Sequence, residues 1–74
     1  MIAETLPIRN KLIELQRDGI ICIDSFTYGL NRRESYVNIA FEINKTHERV
    51  VRTMTGKTMQ EAADSTMELL NQLR

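Results

Sequence analysis

At 74 residues, 42% of them hydrophobic and 27% charged, the chain has the length of one globular domain, enough for a thin two-layer core and too little for a deep catalytic cleft. Ten basic side chains balance ten acidic ones, which excludes a bulk electrostatic pull toward nucleic acid or membrane. The lone Cys22 excludes an internal disulfide and a multi-cysteine zinc site.

Helix signals come first in chain order. Thr5 is a candidate cap, Pro7 sits in a first turn where a missing N–H costs nothing, and Asp18-Gly19 is a stop. Between them Ile8, Leu12 and Leu15 recur on one face, with Ile13 beside them and Arg9, Lys11, Glu14 and Arg17 on the wet side. A helix over 5–17 is expected.

The period then changes. "GIICIDSFTY" is rich in β-branched and aromatic residues, and predicts a strand over 19–28. "ESYVNIAFEIN" alternates, with Val37, Ile39, Phe41 and Ile43 facing one way and Tyr36, Asn38, Ala40 and Glu42 the other, which predicts a strand over 34–44. "HERVVRTM" predicts a third over 48–54. The connections "GLNRR" and "NKT" are short enough for hairpins, so the strands form an antiparallel meander.

Residues 58–73 return to the helical period, with Met59, Ala62, Ala63, Thr66, Leu70 and Leu73 on one stripe. The fold class is α+β. The order is α-β-β-β-α in one domain over 1–74, a three-stranded antiparallel sheet with two helices on one face. The expected core is Ile8, Leu12, Leu15, Val37, Ile39, Phe41, Ile43, Ala63, Leu70 and Leu73.

Gly56-Lys57-Thr58 looks like the end of a phosphate-binding loop. Such a loop needs a first glycine five residues earlier, and that position is Val51, inside the third strand. Thr58 followed by Glu61 is instead a capping box, in which the Thr58 hydroxyl accepts from the Glu61 N–H and the Glu61 carboxylate returns to the Thr58 N–H. Gly56 permits the sharp exit from the strand.

With this order in place, "GKTMQEAADSTMELLNQL" resembles the end of the double-stranded-RNA-binding domain, through Gly56, Lys57, Ala62, Ala63, Leu70 and Leu73. Unrelated small proteins, among them phage inhibitors and toxin–antitoxin components, share the topology. The resemblance implies phosphate contacts from Lys57 at the start of the last helix. It also implies groove contacts from Arg32 and Arg33 in the first hairpin and from Arg9 and Lys11 on the first helix. Residues 26–57 hold Arg32, Arg33, Lys45, Arg49, Arg52 and Lys57 against Glu34, Glu42 and Glu48, whereas the last helix is acidic.

Catalytic signals are sparse. Cys22 and His47 are the one conceivable nucleophile and base. Cys22 lies in the apolar run "GIICI", where a buried thiol is expected, and His47 lies in a turn. No spacing suggests a metal or a cofactor, and a non-enzyme is expected. There is no run of membrane-spanning length and no apolar leader, so a reducing cytoplasmic compartment is the default.

The first strand carries the binding signal. If Ile21 and Ile23 face the helices, then Ile20, Cys22, Phe26 and Tyr28 face outward; the opposite register exposes Ile21 and Ile23. Either way an apolar surplus falls on the helix-free face, beside Tyr36, and wants a cover. A protein-binding module is expected, as a homodimer or in complex with a protein target, of the kind phages and mobile elements use to inhibit a host factor. Binding of double-stranded nucleic acid is the alternative.

Overall fold

The computed structural model describes residues 3–73. A single 3-10 turn, Ala3–Thr5, leads into α1 (Leu6–Arg17); the strands β1 (Ile21–Asn31), β2 (Glu34–Ile43) and β3 (Glu48–Gly56) follow, and α2 (Met59–Asn71) closes the chain. The sheet order is β1-β2-β3 with both pairings antiparallel. α1 lies against β1, α2 against β2 and β3, and the helices meet each other. The expected α-β-β-β-α architecture is therefore the observed one.

The ends of α1 follow from local chemistry. Pro7 occupies the first turn, but Thr5 makes no capping bond to α1; it continues the preceding turn and is buried. At the other end Gly19 adopts φ +76°. Its N–H reaches the Gln16 carbonyl at 3.0 Å and the Ile20 N–H reaches that of Leu15 at 2.9 Å, a Schellman ending. Asn44 then ties this link to the end of β2, donating from its backbone N–H to Ile20 O and from Nδ2 to Gly19 O.

β1 is where the expectation fails. Its register pairs Ile21 with Ile43 and Ile23 with Phe41, then slips by one residue and pairs Phe26 with Ile39 and Tyr28 with Val37. Directly opposed residues share a face, so Ile21, Ile23, Phe26 and Tyr28 all lie on the helix side. The slip is a β-bulge at Asp24-Ser25, which inserts one residue and reverses the parity of everything after it. A strict two-residue period had forced one apolar pair outward; the bulge brings both in. The strand also starts later than expected and runs on to Asn31, leaving only Arg32-Arg33 as the hairpin turn.

The core contains Ile8, Leu12, Leu15, Ile21, Val37, Ile39, Phe41, Val50, Ala62, Ala63 and Leu70. Ile43 and Leu73, both expected in it, are half-buried at its margin; Leu73 lies beyond the last residue of α2, which ends at Asn71. Ile21, Val50 and Ala62 are buried as well.

α2 starts as a capping box. The Glu61 N–H donates to Thr58 Oγ1 at 3.2 Å, but the Glu61 carboxylate accepts from the Lys57 N–H at 3.0 Å, one residue before the expected donor. Gly56 is needed for space. A Cβ there would stand 2.6 Å from Glu61 Cβ and 3.0 Å from the Ala62 nitrogen.

Candidate functional site

The two edges of the sheet differ. β3 carries Glu48, Arg49 and Arg52 among its nine residues, and charges on an edge strand discourage pairing with another chain. On β1 the stretch Ser25–Asn31 carries no charge at all. The strand is closed only at its beginning. There the Ile23 N–H donates to Gln16 Oε1 at 2.9 Å, and the Asp24 bulge breaks the ladder. Past the bulge, the backbone groups that face away from β2 have no strand beside them.

Helix length sets what stays uncovered on the helix side. The long axis of the molecule, 37 Å, is about that of an eleven-residue strand at ~3.3 Å per residue. A twelve-residue helix spans only ~18 Å. The end of α1 lies beside the start of β1, where Gln16 meets Ile23, and a helix of this length covers only about half of the strand. Phe26 and Tyr28 are half-buried, with ring centroids 5.5 Å apart, and Leu30 beyond them is 72% exposed. The result is an apolar strip, increasingly open toward the hairpin tip, alongside an unpaired strand edge.

The five residues expected to form one partner-binding surface are thus divided. Phe26 and Tyr28 lie on the helix side, not on the helix-free face. Ile20 precedes β1 and packs against the core. Cys22 does face outward, opposite Glu42, and is exposed where a buried thiol was expected, because Ile21 and Ile23 take the inward positions of that half-strand. Tyr36 also faces outward and lies over Gly29, where a Cβ would meet its ring at 3.1–3.3 Å. The helix-free face they share is mainly polar. Thr27, Asn38 and Thr53 form one cross-strand row, and Gly29, Tyr36 and Thr55 the next. A shallow depression of about 200 Å³ there is lined by Asn31, Glu34, Tyr36, Asn38, Thr53 and Thr55. Val51 is the exposed large hydrophobe of this face.

The residues of the nucleic-acid alternative are also separated. Ser35 pairs with Gly56, so the Arg32-Arg33 turn and Lys57 stand at the same end of the sheet. Arg9 and Lys11 do not act together: two residues apart on a helix, they point to different sides. Arg9 is exposed, whereas Lys11 is largely covered, 3.5 Å from Glu14. At the start of α2 the Glu61 carboxylate occupies the position a phosphate would take, and Asp64 follows on the next turn.

Glu42 lies between the two residues of the conceivable nucleophile–base pair, opposite Cys22 on β1 and beside His47. The partner of the imidazole is Glu42 Oε2, 3.3 Å from Nδ1 across an exposed surface, in the turn where His47 adopts φ +62°. Among the described residues no group of three or more His, Cys, Asp or Glu is placed to hold a metal ion. None of the described helices is long and apolar enough to cross a membrane.

Comparison with protein-family models, with curated proteins and with solved structures finds no match to the chain. The candidate site therefore rests on its own geometry: the β1 edge over Ser25–Asn31 with Phe26, Tyr28 and Leu30 along it. Leu30, Thr27 and Asn31 were not singled out from sequence. Their signal was the seven-residue interval between Asp24 and Arg32 without a charge.

Proposed function

We propose that this chain is a small non-catalytic protein-binding module that acts by strand addition to β1. The observation that carries this reading is the open, uncharged edge of Ser25–Asn31 beside a half-covered apolar strip. An extended segment laid along it gains main-chain hydrogen bonds from the unpaired edge and side-chain contacts from Phe26, Tyr28 and Leu30, the two components of β-augmentation. Arg32 and Arg33 at the tip, with no ion pair among the described residues, suit an acidic rim on the partner. A module of this size with no evident chemistry fits a cytoplasmic accessory protein of a phage or mobile element that regulates or inhibits a host factor by occupying it.

A second reading, duplex nucleic-acid binding on a double-stranded-RNA-binding-domain plan, is favoured by the shared end of Arg32, Arg33 and Lys57. The Glu61 carboxylate at the helix start and the zero net charge weigh against it, because phosphate neutralisation dominates such binding.

Affinity capture from a bacterial lysate, run with wild type and with Thr27→Lys, tests the first reading. Thr27 is exposed, so the lysine charges the edge without disturbing the core. The expected result is a discrete set of proteins retained by wild type and lost with Thr27→Lys at unchanged far-UV circular dichroism. Retention that ignores the lysine contradicts strand addition. Salt-dependent retention of duplex RNA, abolished by Glu at Arg32, Arg33 and Lys57, transfers support to the second reading.

A further inference from the structure

The chemistry of the β1 edge also identifies an occupant for it. In an antiparallel pairing, directly opposed residues project to the same face. A second β1 docked on this edge must therefore set its helix-side residues against helix-side residues, and only alternate registers do so. Centring the two-fold on Thr27 places Leu30 opposite the bulged Asp24, whose carboxylate is turned to Arg49, and leaves that exposed leucine without an apolar partner. Centring it on Tyr28 places Ser25 opposite Asn31, Phe26 opposite Leu30, Thr27 opposite Gly29 and Tyr28 opposite its own copy. Polar then meets polar, apolar meets apolar, and the bulky Tyr36-covered Gly29 position meets a threonine.

We propose that this protein forms a two-fold homodimer through antiparallel β1–β1 pairing centred on Tyr28. The proposal rests on the reading of β1 as a protein-binding edge and names its partner as a second copy of this chain. The charges bounding the stretch are compatible with it: an antiparallel copy brings Asp24 of each chain, already paired with Arg49, toward the Arg32 end of the other, so no like charges are opposed at either end. The pairing also covers Leu30, the most exposed large hydrophobic residue among the described residues, with Phe26 of the second chain. It extends the sheet to six strands, three from each chain, and leaves the charged β3 strands as the new edges. All four helices lie on one side of that sheet.

Sedimentation and single-cysteine cross-linking test this. In a Cys22→Ser background, Ser25→Cys and Asn31→Cys chains are prepared separately, mixed and oxidised; both positions are exposed. The expected result is a dimer mass for wild type at high micromolar concentration, a mixed Ser25→Cys/Asn31→Cys cross-link, little cross-linking of either variant alone, and a monomer for Thr27→Lys with unchanged circular dichroism. Self-cross-linking of a Thr27→Cys chain in place of the mixed product overturns the Tyr28 register. A monomeric wild type across the concentration range overturns the dimer. If that monomer nevertheless captures a protein that Thr27→Lys loses, self-pairing alone has failed and the edge serves a different partner.

Discussion

Arg32 holds φ +59° at the first position of a two-residue hairpin turn. Glycine is at home there, whereas a side chain in the left-handed region costs ~1–2 kcal/mol. Arg32→Gly is therefore expected to raise stability. The relieved strain exceeds the extra unfolded-state entropy of glycine, ~0.5–1 kcal/mol, and leaves a net gain of about 0.5–1 kcal/mol. For a domain of this size that is a rise of a few degrees in Tm. A fall in Tm would show that the guanidinium makes a stabilising contact in the isolated chain. Residue-level reading of the sequence worked where the chemistry is local. The Thr58–Glu61 cap and the Gly19 stop were legible because their partners lie within a few residues. Cys22 was misread because its exposure depends on which parity β1 adopts, and that is decided across the sheet by the pairing with β2. Gly56 is expected from sequence to permit the sharp exit from β3; what the position requires is room, since a Cβ there would stand against Glu61 and Ala62.

The β-bulge governs the element scale. Ile21 and Ile23 on one parity and Phe26 and Tyr28 on the other reach the same face only because Asp24 is inserted between them. Deleting Asp24 should therefore destabilise the protein far more than replacing it. Asp24→Ala loses a partly exposed ion pair to Arg49, N–O distance 3.1 Å, a loss of roughly 0.2–1 kcal/mol. Deletion turns either the isoleucines or the aromatic pair outward. At ~1.5–3 kcal/mol for each large apolar side chain removed from cover, this approaches the whole stability of a small domain. Urea unfolding of the two variants checks this; comparable midpoints would contradict the role given to the bulge. The same feature explains how much of the fold was legible. Strand number, hairpin order and both helices followed from hydrophobic period and turn residues, since each is a property of a contiguous segment. The bulge appeared in the sequence as a contradiction, an apolar strand of mixed parity. A fixed period of two admits only a two-faced strand there.

At the scale of the whole molecule, the candidate site is a consequence of unequal lengths. An eleven-residue strand of ~36 Å is covered by a twelve-residue helix of ~18 Å, so the outer part of β1 emerges from beneath α1 with its edge unpaired and its apolar side chains half covered. Composition could not show this, because the charges that protect β3 and are missing from β1 beyond Asp24 sum to an unremarkable total. The binding signal was legible as an apolar excess in the first strand, but its location was not. The bulge moves that excess from the helix-free face to the helix side of an open edge. Burying Leu30 alone is worth ~1.5–3 kcal/mol before the costs of association. Main-chain pairing along Ser25–Asn31 would add to it on strand addition.

Amide hydrogen exchange, read residue by residue along β1 at low and at high protein concentration, tests the central claim most directly. The outward-facing amides between Ser25 and Asn31 should exchange rapidly in the dilute protein and gain protection as concentration rises or a partner is added, while the amides of β2 stay protected throughout. Outward-facing β1 amides already protected at the lowest concentration, or equally fast at every concentration and with every partner, would contradict it.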